Sequence, residues 1–320
     1  MPDVNDPLLT RIEDALVRLT GAQDGSLLLA VSGGPDSMAM LDIVRRCWTG
    51  QAMAATVDHG LRAESAAEAQ MVARYCADAG VPHATLRPSA PITGSLQSAA
   101  RAVRYALLRG HADQCGAAFI VTAHHADDQL ETMLMRLARG SGVDGLAGVR
   151  ARNDSIIRPM LGCRKAELVA YCQQQSVPSI SDPSNANSDF DRVRMRSALA
   201  RFDVVDPLMA TRSADALAEA AAALDWITAR EAQHVIVNDG GGARLLATDY
   251  PPGLLRRLVQ ACLDIVQPGL APRGGQMDRL IASLQQGEQT MIGNILCQAA
   301  AQGQGWHFAP APPRATSAII

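Results

Sequence analysis

The sequence predicts an α/β fold: a doubly wound parallel sheet, followed by a smaller helical C-terminal domain. Three observations predict it. Apolar runs of strand length alternate with segments that are apolar at helical spacing, the pattern of a parallel sheet covered on both faces. The first such run, Ser26 to Val31, enters the tight turn Ser32-Gly33-Gly34-Pro35-Asp36-Ser37 and then a helical pattern. From Asp206 the composition shifts to alanine-rich helical segments, which places a domain boundary near 205 and divides the chain into 1–205 and 206–320.

In order, Leu8, Leu9, Ile12, Leu16 and Leu19 give a helix over 8–20. The first strand and its glycine turn follow, and Met38 to Val44 continues at helical spacing. Ala52–Val57 is the second strand, ending in Asp58-His59-Gly60. Glu64 to Ala79 is a helix stopped by Gly80 and Pro82. His83–Arg87 is a short third strand, Leu96–Cys115 a long helix, and Ala118–Ala123 the fourth strand. Asp127–Ala138 is helical, Arg139 to Leu146 is a flexible loop, Ile156-Ile157 is a short strand, and Lys165–Gln175 is a helix. Residues 176–190, rich in Ser, Pro, Asn and Asp, form a long loop. Helices then cover Ala214–Arg230, Leu254–Val266 and Met277–Gln286, and the tail from Ala309 is extended or disordered.

The 320 residues suit one large domain or two modest ones, and 48% hydrophobic with 19% charged residues excludes a disordered chain. A net charge of −3 excludes a globally basic nucleic-acid binder. The positive charge is nearly all arginine, with Lys165 the single lysine. The seven cysteines are scattered, with no C-x-x-C, which argues against a disulfide framework, a zinc site and an iron–sulfur site. There is no basic, apolar leader and no apolar run long enough to span a membrane. A cytoplasmic protein with no membrane partner is expected.

The chemistry gathers at strand ends, where doubly wound sheets bind their ligands. Gly33 and Gly34 let the backbone approach an anion, and Ser32, Ser37 and the helix N-terminus supply donors. The turn is not a Walker A loop: it lacks the lysine and carries Asp36 instead, an acid that makes sense beside a phosphate if Mg²⁺ lies between them. The bland alternative is a capped strand–helix turn. Asp58 and His59 end the second strand where a nucleotide's ribose or base would lie; the alternative for Asp58 is a turn. In His124-His125-Ala126-Asp127-Asp128, two acids enter the first turn of a helix and Glu131 follows on a shared face. These carboxylates suit a helix entry, a Mg²⁺ site or a cationic substrate. Arg101 and Arg104 are i,i+3 and suit a phosphate clamp or a solvated face. Arg192, Arg194 and Arg196 form a local basic patch that suits phosphodiesters or pairs with Asp189 and Asp191.

The Ser32–Ser37 loop resembles the SGGxDS loop of the PP-loop (N-type) ATP pyrophosphatases, which cleave ATP between the α and β phosphates to adenylate a substrate. The longer series resembles one branch, the tRNA(Ile)-lysidine synthases, in order and spacing over about 26–200. It comprises that loop, Asp58-His59-Gly60-Leu61-Arg62 with Glu64, Arg101 with Arg104-Tyr105, and Thr122-Ala123-His124-His125-Ala126-Asp127-Asp128-Gln129 with Glu131-Thr132. It continues through Arg139-Gly140-Ser141-Gly142 with Gly145-Leu146, Arg158-Pro159, Asp182-Pro183-Ser184-Asn185, and Arg192, Arg194 and Arg196. The resemblance implies a carbon–nitrogen ligase using ATP and Mg²⁺ to join L-lysine to C2 of the wobble cytidine of the CAU-anticodon tRNA(Ile). ATP adenylates the C2 carbonyl oxygen with release of pyrophosphate, and the lysine ε-amine displaces AMP. On this resemblance Ser32, Gly33, Gly34, Pro35, Asp36, Ser37, Asp58 and His59 bind nucleotide, and Asp36 and Asp128 bind metal. Asp36, Arg104, His125, Asp127, Asp128 and Glu131 serve catalysis, with Arg104 on pyrophosphate and the acids holding Mg²⁺ or the lysine ammonium. Arg192, Arg194 and Arg196 contact tRNA, and a homodimer is left open. Family members commonly carry helical C-terminal domains that read the tRNA body; one short helical domain fits after 205. The rivals are another PP-loop tRNA modifier, such as a 2-thiolating enzyme, and a non-catalytic nucleotide-binding protein.

Overall fold

The computed structural model describes residues 6–60, 65–90, 96–180, 191–199, 204–272, 275–300 and 305–312. The chain divides into two compact units, Met1–Ala218 and Glu219–Ile320.

In the first unit, α1 (Pro7–Thr20) starts where the Asp6 carboxylate accepts the Leu8 N–H at 2.8 Å, and it ends at Gly21 in the left-handed conformation. Then come β1 (Leu27–Ala30), α2 (Pro35–Cys47), β2 (Ala52–Val57), α3 (Ser65–Asp78), β3 (His83–Leu86), α4 (Leu96–Cys115), β4 (Phe119–Val121) and α5 (Ala126–Leu137). A one-turn helix α6 (Val143–Leu146), the hairpin strands β5 (Arg152–Asn153) and β6 (Ile156–Ile157), a 3₁₀ turn (Pro159–Gly162), α7 (Lys165–Gln174) and α8 (Asp191–Leu199) complete it, apart from the start of α9.

The sheet order is β3-β2-β1-β4-β6-β5, parallel throughout except for β5 at the edge. Strand β1 is apolar on both sides because both sides are covered. Leu27, Leu29 and Val31 pack with residues of α1, α2, α3 and α7, whereas Leu28 packs with Tyr105, Leu108 and Ala112 of α4. The strand order therefore reverses between β1 and β4, and the crevice at their C-terminal ends is the switch point of the sheet. Behind the first turn of α2, the fully buried Asp42 accepts from Tyr75 at 2.5 Å, Tyr171 at 2.6 Å and Arg45 at 2.8 Å. A buried carboxylate is tolerable only when so satisfied. These contacts tie α2 to α3 and α7 and hold the glycine turn in place.

Two expectations change. Arg139 to Leu146 is not wholly loop, since its second half winds one helical turn. The arginine series, given no element from the sequence, lies on α8. Helix α9 (Pro207–Val235) is longer than Ala214–Arg230 and runs across the division between the compact units at 218/219. The reason is packing: Ala210 and Ala214 are buried, and the Thr211 hydroxyl donates to the Leu161 carbonyl at 3.3 Å.

The second unit is not the helical domain expected for 206–320. It contains β7 (Ile236–Asp239), β8 (Gly242–Leu245), α10 (Pro252–Val266), α11 (Gln276–Gln285), β9 (Thr290–Ile292), β10 (Ile295–Ala299) and β11 (Trp306–Pro310). The strands form an antiparallel sheet in the order β7-β8-β11-β10-β9. Ala243, Leu245, Ile295, Cys297, Trp306 and Phe308 form one core with Leu255, Leu258 and Leu263 of α10 and Leu280 and Leu284 of α11. The expected extended tail is in part β11, whose Pro310 sits opposite Ile295; residues 313–320 lie outside the described set. No helix among the described residues is long and apolar enough to cross a membrane.

Candidate active site

A cleft of about 590 Å³ opens at the switch point, and its lining joins the ends of β1, β2 and β4. The phosphate-type turn forms one wall. Gly33 has φ +90°, a conformation that L side chains rarely adopt, and Gly34 caps α2 with Pro35 at its first position. The turn is braced from within. The Ser37 hydroxyl donates to the Gly34 carbonyl at 3.0 Å and accepts the Ser32 N–H at 3.1 Å, and the two hydroxyl oxygens are 3.2 Å apart. The Ile180 N–H donates to the Gly33 carbonyl at 2.9 Å. Ser32, Gly34, Pro35, Asp36 and Ser37 line the cleft; Gly33 shapes the turn from behind.

His125 forms the floor, almost wholly buried at the N-cap of α5. Its Nε2 lies 3.6 Å from Asp36 Oδ2 and 3.4 Å from Asp128 Oδ2, and its Nδ1 lies 3.6 Å from Asp127 Oδ2. Burial disfavours the imidazolium, but Asp127, Asp36 and Asp128 outweigh it and push His125 up to about 9. Asp36 Oδ1 is buried with no hydrogen-bond partner among the described residues. An unmet carboxylate oxygen beside a phosphate-type turn is the donor a hard cation takes. No group of three or more His, Cys, Asp or Glu side chains is gathered as a metal site among the described residues, so a cation on Asp36 needs phosphate or water oxygens to complete its shell.

The sequence-predicted acids separate into two jobs. Asp128 lines the cleft. Asp127 does not: its Oδ2 accepts the Lys165 N–H at 2.8 Å, clamping the start of α5 to the start of α7. Burial would raise the Asp127 carboxyl, but His125, the Lys165 amide and Arg164 bring it down to about 2. Glu131 is 3% exposed and outside the lining; both its oxygens face Arg196, at 2.6 Å from Nε and 3.1 Å from Nη2. Asp58 also lies outside it. The Ser65 hydroxyl at 2.7 Å and the Gly60 N–H at 3.0 Å occupy one oxygen, and Arg87 at 3.1 Å the other, which hold the carboxyl below its ordinary value. Asp58 is therefore a turn former, and its neighbour His59 is the one that lines the cleft. Burial and the nearby Arg104 lower His59 from its ordinary value, and its Nδ1 is buried without a partner among the described residues.

Arg101 and Arg104 both line the cleft, their guanidinium groups 5.1 and 5.3 Å from the Tyr105 ring centre. Burial and the charge of Arg101 lower Arg104 from its ordinary value. Of the arginine series, Arg196 lines the cleft and Arg194 is exposed. The Arg192 side chain, Arg62, Glu64 and Asp182–Asn185 lie outside the described residues. Sequence reasoning missed Lys165, which lines the cleft at the first position of α7. Its signal was rarity, as the only lysine of an arginine-rich chain.

The PP-loop domain family matches residues 7–202. The tRNA(Ile)-lysidine synthase of Zymomonas mobilis subsp. mobilis is 38% identical over 305 residues, covering 92% of this chain and 92% of that protein. That of Novosphingobium aromaticivorans is 39% identical over 295 residues, covering 90% of each. Among solved structures, the U34-tRNA thiolase NcsA from Methanococcus maripaludis, with its [4Fe-4S] cluster, superposes with a TM-score of 0.56 over 66% of this chain and 78% of that one. At 14% identity this likeness shows a shared fold alone.

Proposed function

The chain belongs to the tRNA(Ile)-lysidine synthase family of PP-loop proteins, and on that premise we propose that the cleft at the switch point is where nucleotide, lysine and the target cytidine meet. The enzyme is an ATP-dependent ligase that forms lysidine on tRNA(Ile). One observation carries the placement. Asp36 and Asp128 meet at His125, and all three line the same cleft as Arg101 and Arg104 of α4.

In this reading the Ser32–Ser37 turn and the α2 N-terminus cradle the ATP phosphates, and His59 lies beside the nucleoside. The wobble cytidine of the CAU anticodon is splayed into the cleft, as chemistry on a base requires. Its C2 carbonyl oxygen attacks the α-phosphorus, the bond to the β-phosphate oxygen breaks, and pyrophosphate leaves with its charge met by Arg104 and Arg101. The ε-amine of L-lysine then adds to C2 and AMP leaves with the carbonyl oxygen. The amine gives up a proton at this step, and in this reading Asp128, which lines the cleft with Asp36 and Glu68, accepts it. The unmet Asp36 oxygen fits Mg²⁺, with Asp128 across His125. Bound there, the ion would supply neutralisation of phosphate charge. A 2-thiolating enzyme needs sulfur at the reaction centre, and none of the seven cysteines lines this cleft.

The test is incorporation of labelled lysine into a tRNA(Ile) transcript. Labelling is expected only with ATP, lysine and cytidine at the wobble position. Equal labelling of a transcript carrying guanosine there, or none of the cytidine transcript, would sink the reading.

A further inference from the structure

Arg101 and Arg104 hold their cations against one aromatic ring. Both lie on α4 with Tyr105, Arg101 one helical turn before it and Arg104 next to it in sequence. A helical side chain leans over the turn that precedes its own Cα, which brings the Tyr105 ring toward Arg101. The guanidinium carbons stand over that ring, 5.1 Å from its centre for Arg101 and 5.3 Å for Arg104. Among the described residues neither guanidinium pairs with a carboxylate. Burial weighs against the Arg104 cation, and so does the like charge of Arg101 one turn away. The electron-rich face of the ring supplies the attraction that an acid would otherwise supply. A carboxylate there would cancel the positive charge and compete with an incoming anion. A ring holds a guanidinium in place and leaves its charge whole.

The ring itself is fixed. Tyr105 is 9% exposed and belongs to a core cluster with Leu28 of β1, Ile120 of β4 and Ile156 of β6. Its hydroxyl is buried and makes no hydrogen bond among the described residues, which leaves the ring as the part that acts. We propose that Tyr105 is the positioning residue of the pyrophosphate clamp: its ring holds the Arg101 and Arg104 guanidiniums at the cleft before nucleotide arrives, without neutralising them. The proposal rests on the reading that ATP is cleaved in this cleft and that both arginines meet the leaving pyrophosphate. Charge already in place costs no rearrangement at the moment the leaving oxygen becomes negative. Tyr105 does not line the cleft and acts through the two cations.

The test is calorimetric titration of the full chain with pyrophosphate and, separately, with AMP, both in the presence of Mg²⁺. Tyr105→Leu removes the ring and is expected to weaken pyrophosphate binding about tenfold, within the range of a desolvated cation–π contact. AMP affinity is expected to stay at the wild-type value. Tyr105→Phe keeps the ring and keeps pyrophosphate affinity. Where the Leu variant fails to fold, phenylalanines fluorinated to increasing degree at position 105 preserve the shape and drain charge from the ring face. Pyrophosphate affinity is then expected to fall stepwise with each added fluorine. In a double-mutant cycle with Arg104→Gln the losses are expected to be less than additive, because the ring acts through the guanidinium. Equal losses for AMP and pyrophosphate, a fluorinated series without a trend, or additive losses would make Tyr105 a packing residue and overturn the proposal. A loss in Tyr105→Phe as large as in Tyr105→Leu would assign the effect to the hydroxyl and overturn it equally. If the wild type labels tRNA(Ile) with lysine and Arg104→Gln weakens pyrophosphate binding while no change at position 105 does, the proposal fails alone. If pyrophosphate binding is indifferent to both Arg101→Gln and Arg104→Gln, the placement of pyrophosphate at these arginines fails and the proposal with it. Circular dichroism and unfolding midpoints establish that each variant is folded.

Discussion

Burial would lower His125, but Asp127, Asp36 and Asp128 beside it push its pKa from 6.5 up to about 9. The sign follows from linkage. A group whose pKa is higher in the folded state stabilises fully below its unfolded value of 6.5, and the contribution is lost as the pH rises through about 9. Asp127 runs the other way: brought down from 3.8 to about 2, it stabilises above 3.8 and is lost as the pH falls through about 2. His125→Gln is therefore expected to cost roughly 2–3 kcal/mol at pH 6, and the difference from wild type should shrink steadily toward pH 9. Thermal unfolding of both proteins across that range measures it; a gap independent of pH would show that His125 is neutral. The pairing of Asp36 with the histidine–acid series was legible, because residues at the C-terminal ends of adjacent parallel strands must meet. The fate of each acid was not. Asp127 and Asp128 are neighbours on one helix turn, and only the position of α7 decides that one clamps Lys165 while the other faces the cleft.

At the scale of elements, the glycine turn works because its conformation is set before any ligand arrives. Gly33 at φ +90° makes the bend, and Ser37 ties its ends. A methyl group at Gly33 would meet Met71 and Val72 at 3.5 and 3.6 Å, ordinary contact distances, so the cost of substitution is backbone strain rather than a clash. Gly33→Ala is expected to lose about 1–3 kcal/mol of stability and to raise KM for ATP more than it lowers the rate at saturation. A variant with unchanged melting and unchanged KM would mean that the turn relaxes freely. Such strand–turn–helix units are readable from sequence because glycine, proline and apolar period all act within a few residues. The second unit was harder to read. Its strands are three to five residues long and at most partly buried, so each carries too few apolar positions to outweigh the long helical patterns beside it. Its turns did leave a trace: Asp239-Gly240 and Gly293-Asn294, with positive φ at both glycines, are hairpin signals between apolar runs.

At the scale of the molecule, three hydrophobic clusters are built from different stretches of chain. Two lie within Leu8–Val177 and share the parallel sheet, and the third runs from Ala243 to Phe308. Every described residue of the cleft lies in the first unit. Ligand binding to the native state adds stability by mass action only to the cooperative unit that holds the site. Calorimetry of the full chain is therefore expected to show two transitions. ATP with Mg²⁺ at about a hundred times its Kd should raise the stability of one by about 2.7 kcal/mol and leave the other in place. The helix that crosses the division gives the alternative its own signature. If α9, continuous from Pro207 to Val235, couples the units into one cooperative body, a single transition will move as a whole with nucleotide. Two transitions of which one responds to ATP would locate the nucleotide site in the first unit without any substitution near it.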